Sequence, residues 1–189
     1  MKSTIQALRL LAGLTLLTGV LYPLAVWAAG RLCFRHAAEG SLLTRNGVLI
    51  GSALLAQKNE DPRYFSPRPS AGDFATVASG ASNLAWTSAK LRETSAASAR
   101  LFRGQNHLPG TTALPADAVT ASGSGLDPGI SPAYADLQAA RVAKARGMSI
   151  ADVRALIDKY TTGRALGFLG EPTVNVMQLN LDLDRRQAG

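Results

Sequence analysis

Few residues in this chain are of a type and spacing that could do chemistry. His36 and His107 are the only histidines and Cys33 is the only cysteine. No second sulfur or carboxylate joins them at metal-ligand spacing, so the sequence supports no metal site. Ser79, Ser82, Ser122 and Ser124 lie in glycine-rich stretches, yet neither G-x-S-x-G nor S-x-x-K occurs. Turn and cap roles account for them. The stretch from Gly163 to Gly170 is rich in glycine but lacks the Lys-Ser or Lys-Thr ending of a phosphate-binding loop. Its apolar residues predict a packed loop. No catalytic residue is therefore assigned, and the chain reads as an anchored, non-catalytic protein. The alternative is a free-standing membrane-anchored enzyme such as a serine hydrolase, whose triad would be defined by geometry rather than spacing.

The element that must position everything else is the uncharged run from Leu10 to Ala29. At about 1.5 Å per residue a helix of that length matches the roughly 30 Å hydrocarbon core of a bilayer. Tyr22 and Trp27 suit its interfacial end, and Pro23 is tolerated where neighbours re-satisfy the freed carbonyl. The competing reading is a signal peptide with a basic start and a cleavage site ending at Val26-Trp27-Ala28. Thr15 and Gly19, four residues apart, make one face small enough for a second helix to approach, with plain lipid contact as the alternative. Cys33 reads as a small apolar interfacial residue, with acylation the sharper alternative. Lys2 and Arg9 on one side nearly balance Arg31, Arg35 and Arg45 on the other, so charge does not orient the span. The short N-terminal tail favours translocation of the larger part. The expected divisions are a cytoplasmic tail over 1–9, a transmembrane helix over 10–29 and an extracytoplasmic (periplasmic) domain over 30–189.

That domain holds 18 of the 20 lysines and arginines and all 13 acidic residues, a surplus of five positive charges. The bases are scattered without an aromatic-interleaved patch, so nucleic acid is not an expected partner. A partner with an acidic surface fits better. Asn46-Gly47 predicts a turn, followed by a buried strand from Val48 to Leu55. Pro62, Pro67 and Pro69 exclude helix or central strand, and Tyr64 and Phe65 should pin that segment as an ordered loop. A helix is expected from Ser88 to Phe102, with Leu84, Leu91, Ser98 and Leu101 at helical spacing and Gly104 as its stop. A long connection follows, with strand character only at Ala118-Val119-Thr120-Ala121. Ser131-Pro132 and Gly147 bracket a second helix, and Ser149 opens a third whose apolar face is Ile150, Val153, Ile157 and Tyr160. Val174, Val176, Leu179, Leu181 and Leu183 predict a terminal strand with a bulge at Met177-Gln178. The fold class is α+β, with one N-terminal transmembrane helix ahead of a mixed domain.

Several segments together resemble one family. They are Leu17 to Leu24, Gly51 to Leu54, Tyr64 to Ala71, Ala78 to Leu84, Val119 to Asp127, Arg141 to Arg146 and Pro172 to Val176. In order and over almost the whole chain, they are similar to the C subunit of the bacterial Kdp potassium-transporting ATPase. The resemblance implies a complex with a potassium channel-like subunit and a P-type ATPase subunit, in the bacterial inner (plasma) membrane. It implies an accessory role: stabilising assembly and, as a catalytic chaperone, promoting ATP binding by the pump subunit. No cofactor is expected to bind tightly, with ATP reached through the complex. The resemblance nominates Gln138 for any nucleotide contact, whereas the residues alone read Gln138 as an exposed helix glutamine. It also keeps Thr18 to Leu24 in the working protein, which disfavours cleavage. Gly19, Tyr22 and Pro23, with Thr15, become the candidate membrane-helix interface, and membrane lipid is the remaining partner.

Overall fold

A computed structural model describes residues 2–187. Met1 and residues 188–189, which close the outer two expected divisions, lie outside the described residues. The chain separates into Met1–Leu42 and Leu43–Gly189.

In the first unit α1 (Lys2–Leu16) leads through a π-helical turn, Leu17–Leu21, into α2 (Tyr22–Cys33). The continuous helix has 32 residues and a window of mean hydropathy 1.8. It therefore outruns the expected 10–29 span at both ends, because Lys2, Gln6 and Arg9 propagate helix as readily as apolar residues do. The π turn has a local cause. Pro23 donates no backbone hydrogen bond, and the residue before it bonds one position further back, Tyr22 N–H to the Leu17 carbonyl. Phe34 breaks the helix at φ −136°, and a single turn, α3 (Arg35–Ala38), follows. Glu39 there accepts from both Arg31 and Arg35 at 3.1 Å.

A hairpin follows, made of β1 (Leu42–Arg45), which from Leu43 belongs to the second unit, and β2 (Val48–Ser52). Asn46 and Gly47 both take positive φ, 51° and 78°, the conformation that a two-residue hairpin requires. The expected buried strand is corrected: β2 stops at Ser52, and Val48, Leu49, Leu54 and Leu55 are exposed. A ribbon of two strands has too few neighbours to bury both of its faces.

Next comes α4 (Ala89–Gln105), capped by Ser88, whose hydroxyl accepts from Leu91 N–H. Its inward residue is Phe102, while Leu101 is exposed, and the helix runs one residue beyond Gly104. Asn106 ends it, donating from its side chain to the Phe102 carbonyl at 2.9 Å. Ala116–Ala118 forms a 3-10 turn, and Ala118–Ala121, where strand character was expected, forms no strand. Then β3 (Gly129–Ile130) precedes α5 (Pro132–Arg146) and α6 (Ile150–Lys159). Ser131 and Ser149 cap these helices through Tyr134 N–H and Asp152 N–H, and Gly147 closes α5 at φ 65°. All three punctuation marks match the sequence.

β4 (Thr161–Thr162) and β5 (Thr173–Asn175) complete a three-stranded antiparallel sheet of order β3-β5-β4, with Val174 opposite both Ile130 and Thr161. A side chain on Gly129 would place its Cβ 2.6 Å from Thr173 Oγ1, so glycine allows β3 to close on β5. The loop from Gly163 to Gly170 is not packed as expected: Leu166 and Phe168 are 83% and 67% exposed.

Of the expected terminal strand only Val174 lies in a strand, β5, and from Val176 onward the chain is a helix, α7 (Val176–Gln187). Val176, Leu179 and Leu183 recur at helical as well as alternating positions, and the structure buries all three. Asn175 decides between the two readings, because its Oδ1 accepts from Gln178 N–H at 3.0 Å as an N-cap. The change of phase at Met177-Gln178 marks a helix start instead of a bulge. The core joins Phe65, Phe102 and Tyr134 to Val142, Val153, Leu156 and Ile157 of α5 and α6, with Val174, Leu179 and Leu183 behind them. Leu183→Ala should therefore cost about 2 to 5 kcal/mol of unfolding free energy. Ile150→Ala, at a half-exposed position of the expected α6 face, should cost under about 1 kcal/mol. Denaturant unfolding of the two variants in detergent checks the difference.

Candidate functional site

The polar chemistry of the second unit converges on the proline-interrupted segment from Asp61 to Pro69. Prolines leave such a segment no ladder of its own, so side chains must satisfy its backbone. Two carboxamides do so. Gln138 of α5 accepts from Ser66 N–H at 2.8 Å through Oε1 and donates to the Ser66 carbonyl at 3.2 Å through Nε2. Asn180 of α7 repeats this one residue earlier, accepting from Phe65 N–H at 2.8 Å and donating to the Phe65 carbonyl at 2.9 Å. Each amide copies the donor and acceptor pair of a neighbouring strand. Phe65, fully buried between them, inserts into the core.

Three further side chains brace the same segment. Arg141 donates to the carbonyls of Pro62 and Tyr64 at 2.6 and 3.0 Å, to Gln138 Oε1 at 3.0 Å and to Asn106 Oδ1 at 2.9 Å. Burial lowers the pKa of this guanidinium, with Tyr134 and Asp61 pulling the other way. Tyr134 donates its hydroxyl to the Pro67 carbonyl at 3.2 Å, and burial raises its phenol pKa above the ordinary 10.0. Arg146, its side chain 0% exposed, donates to the Arg63 carbonyl at 2.6 Å and pairs with Asp184 at 2.9 Å. It also lies 4.7 Å from the centre of the Tyr64 ring. Asp184 gathers the Tyr64 hydroxyl at 3.1 Å and Arg45 of β1 at 2.7 Å as well.

The arrangement is one of internal bracing. Its charged groups are engaged with protein carbonyls and each other, and Arg45, Tyr64 and Asp184 also border a hollow of about 210 Å³. Among the described residues no group of three His, Cys, Asp or Glu stands together to hold a metal ion. Gln138 is buried, contrary to the exposed position expected from the residues alone, and both ends of its amide are committed to Ser66. Ser79 donates to the Ser124 carbonyl, and Ser124 accepts from Leu126 N–H, so these serines serve turns. Thr15, Gly19, Tyr22 and Pro23 lie on the first unit's helix with no side chain buried. A Cβ on Gly19 would meet only Thr15 Cγ2, at 4.0 Å, so that face is open. Cys33 is exposed.

Residues 4–185, taking in both the apolar helix and every bracing residue above, match the family described as K+-transporting ATPase, c chain. The chain belongs to the KdpC family. A potassium-transporting ATPase KdpC subunit of Mycobacterium bovis (strain BCG / Pasteur 1173P2) is 50% identical over 186 residues, covering 97% of this chain and 98% of its own. One from Rhodospirillum rubrum is 52% identical over 183 residues, with 95% and 94% covered. One from Sorangium cellulosum is 50% identical over 181 residues, with 94% and 95% covered. KdpC membership extends through the apolar helix and the folded domain alike.

Sequence reasoning singled out Gln138 and missed Asn180, Arg146 and Asp184. Their signal was present: Asn180 and Asp184 follow Val176 at successive intervals of four, on the buried side of α7, as Gln138 follows Tyr134 on α5. Reading 176–183 as a strand hid it. Asp184→Asn should remove about 3 to 5 kcal/mol, because it leaves the buried Arg146 charge uncompensated. Asp136→Asn, at the exposed pair with Arg154, should cost under about 1 kcal/mol. Thermal unfolding of both variants measures the contrast. Hydrogen bonds from Arg63 hold the Asp61 carboxyl below its ordinary 3.8. The pair's contribution is therefore present above that value and lost as pH falls through the lower folded-state pKa. Carboxyl NMR should place the Asp61 midpoint below 3.8, and Arg63→Gln should move it upward.

Proposed function

We propose that the chain is an accessory, non-catalytic subunit of an ATP-driven, high-affinity potassium uptake complex. The observation that carries this reading is membership of the KdpC family along nearly the full length of the chain, apolar helix included. Its partners are a potassium channel-like subunit and a P-type ATPase subunit. The helix passes once through a bacterial inner membrane with the bulk of the chain outside the cytoplasm. Membrane lipid and the partner helices share its surface, the small face at Thr15 and Gly19 and the proline turn at Tyr22 and Pro23 meeting protein.

The role is to stabilise assembly and to favour ATP binding by the pump subunit. An outer domain meets no cytoplasmic ATP, so this influence is a coupling free energy carried by the membrane subunits. ATP is then a ligand of the complex, and nothing is held tightly by this chain. Gln138 acts in that scheme as half of the clamp on Phe65 and Ser66. Nucleotide contact by Gln138 would require its amide to leave Ser66, exposing two backbone groups at about 1 to 3 kcal/mol each.

The test uses the complex purified with and without this chain. Without it, potassium-stimulated ATP hydrolysis should fall and the KM for ATP should rise, and re-addition should restore both. Gln138→Ala and Asn180→Ala should raise that KM together. Nucleotide binding by the chain alone, lost in Gln138→Ala and kept in Asn180→Ala, would replace coupling with direct contact.

A further inference from the structure

One face of the folded domain is left without a role by this reading. α4 has 17 residues, of which Phe102 is the buried one. It carries Lys90, Arg92, Arg100 and Arg103 against Glu93 alone. None of these five makes an ion pair among the described residues. Lys58, Arg154, Lys159 and Arg164, by contrast, each hold a carboxylate at 3.0 Å or less. A net three of the domain's five surplus positive charges therefore lie on one helix, where they set up a local field.

A trough runs beside that helix. Two hollows of about 500 and 200 Å³ share Pro69 and Ser98 in their walls, and α4 lines them from Lys90 to Gln105. Those fifteen steps span about 22 Å, which accommodates about six or seven residues of extended chain. Leu84, Leu91 and Leu101 supply apolar wall. The hydroxyls of Ser82, Ser95 and Ser98 make no hydrogen bond among the described residues. Lys90 stands at one end. Trp86, two residues past Leu84, is 86% exposed.

We propose that this trough docks an extended, acidic segment of a partner polypeptide in the complex, an inference that rests on the accessory-subunit reading. The serine hydroxyls bond the segment's backbone, the leucines take alternate side chains, and Lys90, within the field of α4, takes a carboxylate. A second copy of this chain would bring an equally positive α4 against the first. A phosphate headgroup would find Lys90 as the one unpaired cation of the wall among the described residues, since Lys58 holds Glu60 and Asp73 and Arg68 holds Asp127. Charge complementarity thus selects an acidic polypeptide.

The test places p-benzoylphenylalanine at Ser95, and separately at Thr94, in the full complex in native membranes. Illumination should join this chain to another polypeptide of the complex, at a segment bearing Asp or Glu. Lys90→Glu in the same chain should cut the yield about tenfold, the scale of a like-charge clash. Raised salt should lower the yield of the parent and raise that of the Lys90→Glu chain, because screening weakens attraction and clash alike. An adduct with lipid, with a second copy of this chain or with a segment lacking acids overturns the proposal. So does a yield indifferent to Lys90, or no adduct from a folded chain that still co-purifies. If the unsubstituted chain itself fails to co-purify with the ATPase subunits, the accessory-subunit reading falls instead.

Discussion

The folded domain depends on the satisfaction of backbone groups in a segment that cannot form a ladder. Pro62, Pro67 and Pro69 deny the Asp61-to-Pro69 stretch a place in a sheet, yet Phe65 at its centre is fully buried. A buried backbone amide or carbonyl without a partner is costly. Gln138 and Asn180 resolve the conflict by offering amide groups from two helices that enter the core on either side. Arg141 and Tyr134 then take the carbonyls of Pro62, Tyr64 and Pro67. The order of dependence runs from proline spacing, to unpaired backbone, to carboxamides, to the seating of Phe65 and Ser66 between Gln138 of α5 and Asn180 of α7.

Charge enters the same assembly as a second constraint. Asp184 answers Arg146 from within the domain and Arg45 from the hairpin, with the Tyr64 hydroxyl between them. A buried guanidinium adds little stability by itself, but it tolerates few alternative arrangements once its partners are fixed. The hairpin, α5, α7 and the proline segment are thereby tied to a single carboxylate. The cations of α4 stand outside this assembly, Arg92 and Arg103 donating to the carbonyls of Thr87 and Thr112.

What could be read from the sequence divides along physical lines. Signals that act within one turn of chain were legible: the Asn46-Gly47 turn, the caps at Ser131 and Ser149, and the helix stop at Gly147. Apolar spacing was ambiguous where positions served both periods, as with Val176, Leu179 and Leu183, and the asparagine before them held the answer. Burial of the Gly163-to-Gly170 loop and of β2 was overread, because apolar residues on a short ribbon or loop can remain at the surface. Gln138 drew notice through resemblance, while Asn180 performs the same operation and became visible only once α7 was a helix. Two-residue contacts across 72 and 115 positions of chain leave no local trace.

The π turn at Leu17–Leu21 carries a geometric consequence for the membrane helix. Bonding five residues back inserts one extra residue into a turn, so stripes that a regular helix would continue are displaced by roughly 100° past it. Thr15 and Gly19 still share a side, as the 4.0 Å approach between them indicates, but Val26 and Trp27 are rotated relative to where an unbroken register would put them. A single rod thus acquires two offset seams, one on each side of the turn. The two seams face different directions around one helix axis.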